Sequence, residues 1–398
     1  MVTEVTIVGA GPYGLSLAAH FSSRGVPFRI LGTPMEFWQT SMPDGMSLKS
    51  EGCASSISDP EDSFSLSKYC AEQNLPYADL GLPVLLESFV SYGIAFQERF
   101  VPNVEHRSVT HVKESAEGFT LILDNGENFQ TRKLILALGV GYFAHIPPVF
   151  SNLPDEYVTH SSHHANLSGY EGQKIAIIGA GSSALDLAAL LNKAGAHCVI
   201  LTRAASVKFH ERQRLPRTLL SRLRAPSSGI GPGWASWLYC NAPLPFHYLP
   251  EQIRLRVTKT HLGPTGCWFT RDEVIGKVPI VTGSTVESAT AEGDQIHLRL
   301  TSPNGPHNTF VFDHVIAATG YRVDVERIIF LDATLKSRIM RTGNAPTLSS
   351  SFESSITGLY FVGPAAANSF GPPQRFVVGA RFAARRVSRS IASLTSTS

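Results

Sequence analysis

Apolar residues cluster along the chain in two repeats of one pattern. Residues 5–8 are an apolar run of strand length that ends in Gly9, and residues 13 to about 23 follow as a helix. Residues 26–31 then read as a second strand parallel to the first. Residues 83–100 carry Leu85, Leu86, Phe89, Val90, Ile94 and Phe96 at helical spacing, which predicts a core helix. Two strand-like runs, 108–114 and 119–124, meet the turn Asp124-Asn125-Gly126, and the buried strand 133–138 ends in Gly139. These predict a small antiparallel insertion that returns to the main sheet. Pro147, Pro148 and Pro154 punctuate an exposed connection. Residues 173–178 then restart the opening pattern: a buried strand, a glycine turn, a helix to about residue 193 and a strand over 197–202. Residues 204–270 have the least regular pattern, and strands resume at 279–281, 285–291, 295–301 and 311–317. A strand over 358–362 enters a glycine turn at Gly363, and a final helix begins near Gly371-Pro372-Pro373, just before Gln374. Strands alternating with helices predict an α/β protein with two Rossmann-like dinucleotide-binding units.

The glycines give the two turns their chemistry. In Gly9-Ala10-Gly11-Pro12-Tyr13-Gly14, the first glycine makes the tight turn and the second lets the backbone approach a pyrophosphate. The third lets the helix pack on its strand. The helix N-terminus then presents free amides and partial positive charge to the phosphates. The acid that usually follows the second strand and holds a ribose is replaced by Gly32. The nearest acid is Glu36, in Met35-Glu36-Phe37-Trp38, which either takes over the ribose or is simply solvated. The second turn is Gly179-Ala180-Gly181-Ser182-Ser183-Ala184, with Ser182 and Ser183 placed to hydrogen-bond a pyrophosphate. Its second strand ends in Arg203 with no acid at the tip. That arrangement suits a 2′-phosphate and hence NADPH, the alternative being a surface arginine.

The chain of 398 residues exceeds what one core usually supports, so two or three domains are expected. Apolar residues at 43% and charged residues at 17% suit a globular protein with a sizeable core. A net charge of +2 offers no field for nucleic acid, which leaves small molecules as the expected partners. Arg212, Arg214, Arg217, Arg222 and Arg224 form a basic run that either grips phosphate or an acidic substrate or is a solvated helix face. Five scattered cysteines without a C-x-x-C pair argue for reduced thiols and against a redox-active disulfide. With no apolar run of membrane-spanning length and no leader-like start, a cytoplasmic protein without a membrane partner is expected. No spacing suggests a metal site.

Both dinucleotide motifs, the segment Ala318-Thr319-Gly320-Tyr321 preceded by Asp313, and the C-terminal strand, glycine turn and helix resemble the two-domain flavoprotein monooxygenases. These are the flavin-containing monooxygenases, the Baeyer-Villiger enzymes and the amine N-hydroxylases, and the likeness covers nearly the whole chain. It implies FAD at the first motif and NADPH at the second. Residues 1–158 and 309–398 would form the FAD domain, with an inserted NADPH domain over 159–308 that carries the irregular stretch 204–270. The stretch from Met46-Ser47-Leu48-Lys49 through Asp59-Pro60 to Phe64-Ser65-Leu66 looks most like the N-hydroxylases, whose equivalent loop lies along the flavin. Ala317 stands where their pattern has Leu or Phe, and Pro154, Glu156 and His164 interrupt the Baeyer-Villiger signature around His160.

By the same resemblance NADPH reduces the flavin, oxygen adds at its C4a position, and the protein protects and orients the adduct on the way to a small substrate. Lys49, Ser50 and Asn368 are then expected beside the flavin ring. His160 is either a proton donor near the cofactor or a satisfied interdomain histidine. Gly139, Thr319, Gly320, Tyr321, Gly363, Gly371 and Gln374 complete the expected cofactor contacts. An NAD(P)H-dependent quinone or similar reductase, or an FAD-binding protein without turnover, would share both folds.

Overall fold

The computed structural model describes residues 2–212, 217–302 and 305–395, so Arg214 of the basic run lies outside the described residues. Strand Val2–Val8 is central to the first sheet, parallel to Phe28–Leu31 on one side and to Asn128–Leu136 on the other. The nine-residue strand Asn128–Leu136 serves two neighbours along its other edge. Residues 128–131 pair antiparallel with strand Gly118–Leu123, and residues 134–136 pair parallel with Leu359–Phe361. The predicted antiparallel insertion is therefore an extension of the first sheet. Ile7, Ile30 and Ile135 align across three strands with no exposed surface. Helix Pro12–Ser22 covers them and is itself covered by the C-terminal helix Gly379–Thr395, whose Ala380, Ala383, Ala384 and Val387 leave room for close packing.

The second sheet is parallel throughout, in the order Val158–His160, His314–Ala317, Lys174–Ile178, His197–Leu201 and Ile280–Val281. Against it packs an antiparallel sheet of strands 285–292, 295–302 and 305–312, through Ile296, Leu298, Leu300 and Phe312. Two features of the second unit differ from the expected boundaries. Asp313 separates the run 311–317 into two strands by accepting from the Lys174 amide, and the second of them, His314–Ala317, joins the second sheet. The chain thus re-enters the first unit at residues 318–321, past the expected boundary at 308/309. The boundary at 158/159 likewise falls inside a strand.

The stretch 204–270 is more regular than its pattern suggests, with helices Leu219–Arg224, Trp234–Asn241, Pro243–His247 and Glu251–Thr260. Pro243 and Pro250 there sit at helix starts, where a missing amide proton costs nothing, and so mask those helices in the sequence. The final helix starts later than expected. Pro372–Arg375 form one tight turn after Gly371, whose φ is +91°, and the long helix begins only at Gly379.

Candidate functional site

The first glycine motif folds as its spacing predicts. A Cβ on Gly9 would overlap Ala137 O, and one on Gly14 would overlap Gly9 O, so strand, turn and helix close on each other there. Gly11 is the exception, because a Cβ on it would meet nothing within 4 Å. It faces a cavity of about 820 Å3 at the C-terminal ends of the first sheet's strands, lined by Val8, Leu31 and Ala137. This is where ligands bind in sheets of this class. The tightness at Gly9 and Gly14 and the open space at Gly11 fit a pyrophosphate against the backbone, beneath the amides of helix Pro12–Ser22.

The same cavity is lined by Pro12, Glu36, Trp38, Gly139, Tyr321 and Asn368, which brings together eight of the expected residues with Gly9 and Gly11. Glu36 is exposed on this wall, and Trp38 is held edge-on to Phe89 with ring centroids 4.8 Å apart. Asn368 donates through Nδ2 to Thr342 O, and its own carbonyl accepts from Arg254. Sequence reasoning missed Met35, Arg107, Tyr142, Thr258, Lys259 and Arg375 on this wall. Met35 reaches it through a left-handed backbone (φ 56°) that nothing in its residue type signals. Thr258 and Lys259 come from the inserted helices. Arg375, next to the expected Gln374, donates to His261 O, and burial pushes its guanidinium below the ordinary arginine range.

Several expected contacts act at one remove. Thr319 Oγ1 donates to His145 O, and Gly320 (φ +76°) accepts from the His145 amide, so both hold the connection on which Tyr321 enters the cavity. Gly363 (φ +71°) lies against the Tyr13 ring, and Gly371 against the Phe246 ring. Gln374 is fully buried, its side-chain amide without a partner among the described residues. Its carbonyl and that of Phe376 accept from the buried Tyr13 hydroxyl, each at 2.9 Å.

Lys49 and Ser50 lie in a second cavity, of about 270 Å3. Its walls include Leu48, Leu82, Trp268, Phe269 and Phe376, and Phe376 also lines the larger cavity. Lys49 Nζ donates to Thr265 O at 3.1 Å, tying the first unit to the insert. Burial lowers the Lys49 pKa and the nearby Arg375 lowers it further, while Cys267 and Asp186 act the other way. Asp186 is buried on the helix of the second motif and accepts from Thr270 Oγ1 at 2.8 Å. Burial pushes its carboxyl up to about 6.

His160 is not in either cavity. It faces a separate, open one with His145, His163, Arg322 and Arg327. Its Nε2 lies 3.1 Å from Gly320 O, a pure acceptor, so Nε2 carries the proton, and Nδ1 accepts from the Ser162 amide at 3.2 Å. Burial holds its pKa down at about 4, so it is a neutral, fully engaged side chain. These contacts fit the second of its two expected readings, a satisfied interdomain histidine.

At the second motif, a Cβ on Gly179 would overlap Ala318 O and Ala184 is buried, which packs helix Ser182–Lys193 on its strand. The Ser182 hydroxyl is turned to Thr265 O at 3.4 Å and Cys267 Sγ at 3.6 Å, with Gly181 beside Pro264. Ser183 opens the helix next to it, and Arg203 stands exposed just past strand His197–Leu201. All five cysteines are free. Among the described residues no histidine, cysteine and carboxylate group could hold a metal ion.

A family model described as pyridine nucleotide-disulphide oxidoreductase matches residues 88–225. The chain is 25% identical over 361 residues to the indole-3-pyruvate monooxygenase YUCCA1 of rice, covering 81% of this chain and 78% of that protein. It is 26% identical over 214 residues to a ferredoxin–NADP reductase of Streptococcus pyogenes, of whose length the match spans 56%. Among solved structures, the reduced ornithine hydroxylase PvdA of Pseudomonas aeruginosa superimposes with a TM-score of 0.78 at 19% identity, over 99% of both chains. The ornithine N-hydroxylase KtzI of Kutzneria sp. 744, in its FADred–NADP+–L-orn form, gives 0.78 at 14% identity over 99% of this chain and all of the other. With its two dinucleotide motifs, inserted second unit and C-terminal cavity wall, the chain shares the two-domain α/β fold of the ornithine hydroxylases on which it superimposes.

Proposed function

We propose that the protein is an FAD- and NADPH-dependent monooxygenase that places one oxygen atom of O2 on a small organic substrate. The observation that carries this reading is the pair of cavities that share Phe376: a large one beneath the first glycine turn and a small one with aromatic side chains in its wall beside it. Bound FAD supplies the redox chemistry, taking hydride from NADPH and activating oxygen. The chain's own residues do the rest. Gly11 and the amides of helix Pro12–Ser22 hold the pyrophosphate, and Glu36 on the same wall is the available acceptor for a ribose hydroxyl. Phe376, Trp268 and Phe269 give the small cavity apolar walls, and water kept from those walls would not carry off activated oxygen as peroxide. Lys49 brings one cationic, partly desolvated group to the substrate's side.

The finer assignment is N-hydroxylation or a related heteroatom or carbonyl oxygenation, supported by the likeness to the ornithine hydroxylases in fold. NADPH, with Arg203 on its 2′-phosphate, is the proposed hydride donor. A cytoplasmic location fits the free thiols and the absence, among the described residues, of a helix long and apolar enough to cross a membrane. The test is turnover with NADPH under isotopically heavy O2 across amines, sulfides and ketones. One substrate class should gain a single heavy oxygen atom. If every electron from NADPH instead appears in hydrogen peroxide, quinone or ferredoxin whatever is offered, the protein is a reductase.

A further inference from the structure

Between Glu211 and Glu251 the chain holds five arginines and no aspartate or glutamate. Within this acid-free stretch, helix Leu219–Arg224 turns all three of its leucines to solvent. Leu219 is 79%, Leu220 57% and Leu223 70% exposed, and Trp234 beside them is 55% exposed. Leu238 follows Trp234 by one helical turn and is also exposed.

The patch is built, not frayed. Thr218 caps the helix by accepting from the Ser221 amide. Arg217 donates to Ser227 Oγ at 2.7 Å and to the carbonyls of Ser221 and Ala225. Trp234 Nε1 donates to Leu223 O at 3.1 Å. Two carbonyls of the helix's last turn, those of Ser221 and Leu223, are therefore satisfied by neighbouring side chains, and the leucines are left facing outward. Arg222 and Arg224 are exposed on the same helix, with no ion-pair partner among the described residues. The loop that follows, residues 228–232, forms one wall of the small cavity.

We propose that this face docks on the surface of an anionic lipid membrane, the leucines and Trp234 entering the headgroup boundary and the arginines meeting lipid phosphates. Exposed leucines with a tryptophan, flanked by arginines, are the composition that binds in the plane of an interface. A second copy of the chain is a poorer occupant, because a two-fold contact would set the same arginines against each other with no acid in the segment to answer them. Nucleic acid would answer the arginines but leave the aliphatic side chains uncovered. The docking sets the loop 228–232, and with it the small cavity, beside the bilayer. It qualifies the expectation of no membrane partner: the contact is peripheral and needs no spanning helix.

The test is cosedimentation of the full-length protein, loaded with FAD, with vesicles of phosphatidylcholine alone or mixed with phosphatidylglycerol, alongside light scattering. Binding should require phosphatidylglycerol, weaken with salt and shift tryptophan emission to the blue. Replacing both arginines (Arg222→Gln with Arg224→Gln) should weaken it roughly thirtyfold, and Leu219→Ser with Leu220→Ser and Leu223→Ser at least tenfold. Both variants change exposed residues, so their flavin absorbance and melting temperature should match the parent and show them folded. Equal binding to both vesicle types, or none, overturns the proposal. So does binding that both variants retain, or a dimer that the serine variant converts to monomer.

Discussion

Gly11 and Gly14 differ by three residues and should fail in opposite ways. A Cβ at Gly11 meets no protein atom within 4 Å, and its backbone (φ −83°, ψ −171°) is one any residue adopts. In Gly11→Val the loss of a good helix N-cap costs about 0.5–1 kcal/mol, and the smaller unfolded-state entropy returns about 0.4–1 kcal/mol, so the flavin-free protein should melt within a few degrees of the parent. The added methyl groups occupy the space through which phosphate reaches the backbone amides. Losing two charge-assisted bonds of about 1.5–3 kcal/mol each removes about 3–6 kcal/mol, roughly a hundredfold to ten-thousandfold in FAD affinity. Gly14→Ala instead drives its Cβ into Gly9 O, far inside the 3.0 Å that real Cβ atoms keep, and either helix or turn must move. Overpacking of this kind costs about 1–3 kcal/mol or more in the apoprotein itself. Apoprotein melting and FAD titration by fluorescence quenching separate the two. A Gly11→Val protein that binds FAD like the parent, or that melts as badly as Gly14→Ala, would refute the assignment of that space to the pyrophosphate.

Arg203→Ala should raise the NADPH Michaelis constant about tenfold, the lower end for a charge-assisted bond because Arg203 is exposed, and leave NADH kinetics unmoved; equal losses with both donors would place the arginine elsewhere. Asp186 keeps its proton to about pH 6 in the folded chain but only to about 4 when unfolded, so the folded state holds the extra proton between those values and stability falls as pH rises through them. Asp186→Asn should flatten that slope and stabilise the protein at neutral pH by up to about 3 kcal/mol, read by urea denaturation across the pH range; an unchanged slope would show that another group is responsible. Phe376→Ala should join the two cavities and raise the hydrogen peroxide formed per NADPH oxidised, measured with a peroxidase-coupled dye. Unchanged coupling would mean that Phe376 does not separate substrate from solvent.

The parts of the site most legible in the sequence are those where backbone geometry itself demands a residue type. Gly9 and Gly14 are such positions, since a Cβ on either would overlap backbone, whereas Gly11 was legible through the room that a pyrophosphate needs beside it. Side chains supplied by tertiary packing were less legible. Thr258 and Lys259 line the large cavity from a helix whose local pattern says nothing of where it docks. His160 shows the converse: a histidine-rich run suggests proton transfer, yet the ring's hydrogen bonds to Gly320 and Ser162 consume both nitrogens. The domain boundaries moved because a sheet edge can recruit a strand from far along the chain, as Lys174–Ile178 recruits His314–Ala317.

The Tyr13 hydroxyl bridges to the carbonyls of Gln374 and Phe376, and the cavity that Tyr13 lines is also lined by Asn368 and Arg375. During synthesis these partners emerge at opposite ends of the process. At about 5–20 residues per second, roughly 20–70 s separate the appearance of the glycine turn at the ribosome from that of its far wall. A nascent chain therefore carries a phosphate cradle with no room built around it, while helix Pro12–Ser22 still lacks the cover of the last helix. Flavin capture becomes a post-translational event, and chains cut short before residue 368 should be colourless and dependent on chaperones.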